Sequence, residues 1–277
     1  IMYKLLGSSI ETDFNLNYYE GNIELEGVSD NDSPLKVYIK HLLENYNIKE
    51  EMKDEISSFQ RLRDKMLTVI TTNYDTFLED YIFTNHEKMI KQQIFSGSEL
   101  GTLIKIHGCV SEPSSMVLTM RDYERFGKKS KVLAAKVINL FAENPVFFFG
   151  YSITDENIRS FLRDVYSCLE TEDEFFAFEK RLILVEYDEK RETPVVGNHT
   201  LDVDGLRINM TKIALSNYSY LYDEMAKLKS FVDLKEIQRL KSLVTDIVHD
   251  YDGEKKKVYN LIGDNGDFSG DEVVVVM

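Results

Sequence analysis

The chain has 277 residues, of which 43% are hydrophobic and 12% aromatic, a composition that favours a folded core over disorder. Its formal net charge of -15 at pH 7 argues against non-specific nucleic-acid binding, because attraction to phosphates needs a basic surface. The two cysteines, Cys109 and Cys168, cannot build a disulfide framework or a four-thiolate zinc site, so we expect no metal.

The termini and the apolar runs bear on where the protein resides. The chain has no signal-like start and no apolar run approaching ~18 residues, so we expect a cytoplasmic protein without a membrane segment. It opens on Ile1-Met2 within what looks like continuing structure, and we therefore expect a fragment or trimmed form of a longer protein.

Predicted helices and strands alternate along the chain. Residues 1–33 lack a clean period and are predicted to be irregular. Apolar residues at helical spacing predict these helices: 34–45, 49–65, 75–85, 130–144, one that Thr154 caps, and 218–249. Short apolar runs predict these strands: 67–71, 102–108, 145–152, 181–188 and 206–213. The alternation predicts an α/β fold, a Rossmann-like parallel sheet with helices on both faces.

Three of the predicted strands end in polar or glycine-containing turns. These turns are Thr72-Asn73-Tyr74-Asp75, His107-Gly108 and Gly150-Tyr151-Ser152. In open α/β sheets, ligands bind at the carboxyl ends of the strands, so we expect the three turns to converge on one pocket.

Each turn also has a purely structural interpretation. Asn73 and Asp75 are residue types that cap helices, and this is the better interpretation of that turn taken alone. A lone histidine after a strand is more often structural than catalytic, and Gly150 allows a tight turn. Only the three turns together, in this order, favour a ligand site.

The turns and their flanking residues resemble the sirtuin-like NAD-binding domains, specifically the branch found in bacterial anti-phage defence proteins. The resemblance rests on four stretches spread over about a third of the chain: TTNYDTFLE (71–79), KIHG (105–108), SSMVLTMRDYERF (114–126) and FFFGYSITDENIRSFL (147–162). It implies a domain over 1–217, with a helical insertion after His107, and a C-terminal helical extension with a tail over 218–277.

The resemblance also implies a role for each site residue. His107 matches the catalytic histidine, and Asn73 the asparagine near the ribose carbon under attack. Thr72, Tyr74 and Asp75 complete the motif on the nicotinamide side, where Asp75 engages the carboxamide. Gly108 follows the histidine, and Gly150, Tyr151 and Ser152 form the motif that contacts ribose and phosphate.

The residue types suit cleavage of the bond between nicotinamide and ribose. That reaction passes through an oxocarbenium-like state and needs a base to deprotonate water or a ribose hydroxyl. Histidine side chains ordinarily titrate near ~6.5, close to neutral pH. Asparagine orients a water without competing for its proton, and a carboxylate accepts the carboxamide N–H.

Two departures from the family separate the possible functions. The zinc-dependent deacylases of this fold carry two cysteine pairs after the histidine, and this chain has only Cys109 and Cys168, which favours NAD+ hydrolysis. The family's first strand and glycine-rich phosphate loop have no clear match in residues 1–33, so the loop is either degenerate or encoded before Ile1.

The function that we predict is therefore hydrolysis of NAD+, the substrate, to nicotinamide and ADP-ribose. The resemblance implies an effector that depletes NAD+ during phage infection, acting as a homo-oligomer or with a sensor or ATPase module, and with a phage protein as a further partner. Two alternatives stay open: a non-catalytic module that senses NAD+ or ADP-ribose, and an NAD-dependent deacylase or ADP-ribosyltransferase.

Overall fold

The structure is a computed structural model of the chain. It describes residues 8–28, 33–44, 46–66, 68–90, 101–129, 131–150, 153–191 and 193–228. The chain divides into two compact units, Ile1–Leu234 and Lys235–Met277, and all the described residues belong to the first. The predicted helix over 218–249 lies partly, and the predicted tail wholly, outside the described residues.

The described strands form two sheets built mainly from parallel strands. They are β1 (Thr68–Thr71), β2 (Glu87–Ile90), β3 (Thr102–Lys105), β4 (Val146–Phe149), β5 (Leu182–Tyr187), β6 (Val195–Val203) and β7 (Leu206–Leu215). The first sheet has the order β1-β3-β2 and is parallel throughout. The second has the order β4-β5-β7-β6, in which only β6 runs antiparallel to its neighbour. The α/β, Rossmann-like architecture predicted from the alternation of elements is confirmed.

Two strands were not predicted from the sequence. β2 has only four residues, too few to show a period. β6 and β7 form a hairpin closed by Asp204-Gly205, both with positive φ (52° and 87°), as a type I′ hairpin turn requires. The Asp-Gly pair is a strong hairpin signal, but the polar, exposed first half of β6 obscured the strand before it.

Helices surround these strands. They are α1 (Ser8–Tyr19), α2 (Pro34–Glu44), α3 (Lys53–Gln60), α4 (Met120–Lys129), α5 (Lys131–Glu143), α6 (Glu156–Tyr166), α7 (Glu172–Glu179) and α8 (Tyr218–Ala226). Short helical turns lie at Glu50–Met52, Leu78–Ile82 and Pro113–Ser115. Within the described residues, no helix combines the length and the apolar character needed to cross a membrane.

Several helix predictions need correction. The expectation that residues 1–33 are irregular is wrong, because α1 forms there and packs on α2: the Phe14 and Tyr38 rings are 5.2 Å apart. Asn15 Oδ1 also accepts the Leu35 N–H at 3.0 Å. The predicted helices over 49–65 and 75–85 are shorter than expected, and α7, with its capping box of Thr171 and Glu174, was not predicted.

One continuous core joins strands from both sheets. Ile104 and Ile106 of the β3 segment belong to the same buried cluster as Phe148 of β4 and Leu184 of β5. Leu162 of α6 lies in this cluster and is fully buried. Burial of side chains of this size stabilises by roughly 1.5–3 kcal/mol each, so the core holds the carboxyl ends of β3 and β4 near α6.

Candidate active site

The turn after β1 is held mainly by its own hydrogen bonds. Thr71 Oγ1 accepts the Asn73 N–H at 3.1 Å, and Asp75 Oδ1 accepts the Phe77 N–H at 3.0 Å. The Tyr74 hydroxyl donates to the Val117 carbonyl at 2.6 Å. Asp75 therefore closes a local turn onto Phe77 through its side chain, while Asn73 is exposed to solvent. The N-cap of the helical turn Leu78–Ile82 is Phe77, which forms no side-chain cap bond, so the cap that the structural interpretation expected from Asp75 is not formed.

A buried ion pair lies beneath this turn. Lys105, at the end of β3, is 1% exposed and donates to the Asp75 carbonyl. Its ammonium group also lies 3.1 Å from both carboxylate oxygens of Glu79. Lys105 thus holds the backbone of the turn that follows β1 (the β1 turn) through the Asp75 carbonyl. The sequence analysis did not identify either residue, although a lysine within an apolar strand is an available signal.

His107 is buried next to the start of α6. Its side chain is enclosed, with 4% of the residue exposed, and its carbonyl accepts the Val117 N–H at 2.9 Å. Its Nε2 lies 2.9 Å from Asn157 Nδ2 and 3.4 Å from Asp155 Oδ2. The sequence analysis did not identify these two neighbours as part of the site.

The N-cap of α6 is Asp155, so the predicted cap, Thr154, is wrong. Asp155 Oδ1 accepts the N–H groups of Asn157 at 3.0 Å and Ile158 at 3.2 Å. Threonine and aspartate are both good caps, and propensity alone does not choose between them. The chain reaches α6 through Ile153, which is buried at a positive φ of 49°, and this loop places Asp155 at the cap.

Aromatic rings enclose the histidine on its other sides. The ring centres of Tyr123 and Phe126 on α4 lie 5.5 Å and 6.1 Å from that of His107, and Tyr74 lies 6.4 Å away. The turn after β1, the turn after β3 and the start of α6 therefore meet around His107. The convergence of all three predicted turns on one pocket stays a prediction, because Tyr151 and Ser152 of the third turn lie outside the described residues.

Gly108 is required by the packing of the chain behind His107. Its φ is +89°, and a Cβ placed there would lie 2.3 Å from the Ser115 carbonyl oxygen. Ser115 also accepts the Cys109 N–H through its Oγ at 3.0 Å. The close approach between these two turns fixes where His107 emerges from β3.

Gly150 borders two cavities at the end of β4. The larger, of about 430 Å³, is lined in part by aromatic residues: Tyr46, Phe59, Phe77, Phe149, Tyr218 and Tyr222. Burial there raises the pKa of Tyr222 and also that of Glu55, which lines the same cavity. The smaller, of about 370 Å³, is lined by Glu186, His199 and Lys212 among others.

The phosphate end of the predicted site is less completely described. Tyr151 and Ser152 lie outside the described residues. Among the described residues, the linings of the two cavities include Gly150 but neither Asn73 nor His107. Phe77, two residues after Asp75, is the described contact between the larger cavity and the β1 turn.

Comparison with known proteins gives one family and two relatives. Residues 67–196 match the SIR2-like domain family, and this range contains all three predicted turns. The chain is 23% identical over 212 residues to "NAD(+) hydrolase ThsA" of Bacillus cereus strain MSX-D12, covering 71% of this chain and 43% of the relative. It is 26% identical over 206 residues to "NAD(+) hydrolase ThsA" of Enterococcus faecium, covering 68% and 42%. The chain thus spans less than half the length of these curated relatives, and the resemblance to sirtuin-like domains is confirmed.

Proposed function

Because residues 67–196 match the SIR2-like domain family, we propose that this chain binds NAD+ and hydrolyses its nicotinamide–ribose bond. The observation that carries the proposal is the meeting of the Asn73 turn, His107 and the start of α6 at the carboxyl ends of β1 and β3. Ligands of open α/β sheets bind at this edge.

The proposed reaction consumes one water. His107 takes a proton from that water, the water oxygen bonds to the ribose carbon, and the carbon–nitrogen bond breaks with its electron pair passing to nicotinamide. The products are nicotinamide, ADP-ribose and one proton. Asn73 orients the water or a ribose hydroxyl. It is exposed, and it precedes Tyr74, whose ring lies near His107.

The other predicted residues hold the two ends of the substrate. Asp75 accepts the nicotinamide carboxamide N–H, since a carboxylate with one oxygen in the Phe77 bond keeps further acceptor sites. Thr72 and Tyr74 shape the same end, and Gly108 sets the position of the histidine turn. At the other end we assign ribose and phosphate to Gly150, Tyr151 and Ser152.

The biological setting belongs to the same proposal. Both relatives are named as NAD+ hydrolases. We propose that this domain depletes NAD+ in anti-phage defence, as a homo-oligomer or together with a sensor module.

The test follows nicotinamide and ADP-ribose while the chain is incubated with NAD+. We expect His107→Ala and Asn73→Ala to lower turnover by about 10²-fold or more, because a positioned base contributes about 10²–10⁴-fold. His41→Ala, a histidine on the exposed side of α2, is the matched control and should turn over NAD+ as the wild type does. Equal turnover in all the variants would refute the roles assigned to His107 and Asn73. No turnover by the wild-type domain within its activated full-length protein would refute the proposal that it is an enzyme.

A second function is favoured by one observation, the burial of His107. The residue is 4% exposed, and both cavities near Gly150 exclude it from their described linings. A module that binds NAD+ or ADP-ribose without cleaving it needs the cavities but not an accessible base. Binding of ADP-ribose in calorimetry, with no nicotinamide release by the activated protein, would select this function instead.

A further inference from the structure

Asp155 uses its two carboxylate oxygens for different purposes. Oδ1 accepts the first N–H groups of α6, at 3.0 Å from Asn157 and 3.2 Å from Ile158. Oδ2 lies 3.4 Å from Nε2 of His107. The side chain is 11% exposed, so this negative charge is largely shielded from water.

Asn157 contacts the same ring nitrogen from the first turn of α6. Its amide nitrogen is 2.9 Å from His107 Nε2, so it donates to that nitrogen when the neutral ring carries its proton on Nδ1. When the ring is protonated, Nε2 becomes a donor, and the same amide can present its oxygen after a half turn. Asn157 therefore fits both protonation states of the histidine.

A base that acts from a buried position needs a counter-charge. When His107 accepts a proton it becomes a cation, and burying an unpaired cation is costly. The rings around it, Tyr74 and Tyr123 with the apolar Phe126, bring no negative charge as neutral side chains. Asp155 supplies one at ion-pair distance.

We infer that Asp155 and Asn157 are positioning residues for His107, with Asn157 orienting the ring and Asp155 stabilising its protonated form. The kinetic part of this inference rests on the proposed function, in which His107 takes the proton of the attacking water. The electrostatic part does not, because it concerns the protonation of the histidine in the folded chain.

The decisive variant is Asp155→Asn. Asparagine caps helices as well as aspartate does, so α6 keeps its cap while the charge beside Nε2 is removed. An opposite charge at this distance raises a histidine pKa by about 1–3 units, so we expect the pKa of His107 in Asp155→Asn to fall by about one unit or more. NMR titration of the imidazole in the full chain measures it, with the resonance assigned by its loss in His107→Gln.

Two further variants keep the test independent of folding effects. Asp155→Glu restores the carboxylate and should recover most of the pKa. Thr171→Ala removes the N-cap of α7 instead, so it should lower stability and leave the pKa of His107 unchanged. An unchanged pKa in Asp155→Asn, with α6 intact by circular dichroism, overturns the inference.

Kinetics provide the second readout. In Asp155→Asn we expect kcat for NAD+ hydrolysis to fall about 10- to 100-fold with KM within about twofold, since the loss affects the proton transfer and not substrate binding. The acid limb of the kcat–pH profile should move to lower pH along with the pKa. An inactive wild type would contradict the proposed function and leave the NMR result standing; an active Asp155→Asn with a wild-type profile would contradict the inference alone.

Discussion

Removing the charge of Glu79 tests how the turn at Asn73 is supported. Lys105 is 1% exposed and contacts the Asp75 carbonyl and the Glu79 carboxylate. Glu79→Gln keeps the size of the side chain but removes the negative charge beside the Lys105 ammonium group. A buried ammonium group that loses its counter-charge destabilises the folded state. We therefore expect this substitution to lower the free energy of unfolding and to loosen the β1 turn.

The magnitude follows from the geometry of the pair. Charges 3.1 Å apart attract by about 5 kcal/mol at an effective dielectric constant of about 20, and partial desolvation offsets some of this. Breaking a buried pair typically costs about 3–5 kcal/mol. Because the Glu79 side chain retains 12% exposure, we expect the lower end of this range, about 3 kcal/mol.

Urea unfolding followed by circular dichroism at pH 7 measures the change. The cycle of Glu79→Gln, Lys105→Met and the double variant should show that the double variant is less destabilised than the two single changes added together. The pair Lys53–Glu50, with side chains 59% and 84% exposed, is the matched surface control and should show no measurable coupling. A loss below about 1 kcal/mol in Glu79→Gln, or additive single changes, would refute the reasoning.

Two further predictions concern stability. Burial by itself would raise the pKa of Asp122, but the hydrogen bond and charge of Lys36 and two backbone N–H groups lower it below its ordinary value of 3.8. The ionised Asp122 therefore contributes fully to the free energy of unfolding above about pH 3.8, and this contribution is lost as the pH falls through the lower pKa of the folded state. In urea unfolding, the stability of Asp122→Asn should therefore fall less in acid than that of the wild type. Equal acid dependence of the two proteins would contradict this. Gly108→Ala should lower the free energy of unfolding, measured by thermal unfolding, by about 2 kcal/mol or more, because its Cβ would lie 2.3 Å from the Ser115 carbonyl oxygen. Gly205→Ala, also at a positive φ of 87° but in open space, is the control and should lower it less. Equal losses would contradict the steric argument.

The sequence predicted those parts of the fold that depend on local pattern. Contiguous apolar runs such as Val146–Phe149 are recognisable as strands, and the order of the strand-end turns predicted that His107 and Asn73 share one site. The helix over 34–45 was also predicted, and the described helix Pro34–Glu44 lies within that range, because its apolar stripe and Pro34 both agree with helix.

Contacts between distant residues were not predictable from spacing. Lys105 and Glu79 are 26 positions apart, and His107 and Asn157 are 50 apart, so neither pair leaves a periodic signature. Asn15 of α1 likewise accepts a hydrogen bond from Leu35 at the start of α2, a contact that no local propensity encodes.

The divided carboxylate of Asp155 has a consequence for how this position tolerates change. Most substitutions there are expected to be harmful twice, once through the loss of the helix cap and once through the loss of charge beside His107. Asparagine at position 155 is expected to keep the helix cap and lose the charge. Thr171, by contrast, contributes only a helix cap, that of α7. A saturation library can be scored separately for protein abundance and for NAD+ turnover. The variant with asparagine at position 155 should be abundant but turn over NAD+ slowly. Position 171 should tolerate many more residues than position 155 when variants are scored for turnover.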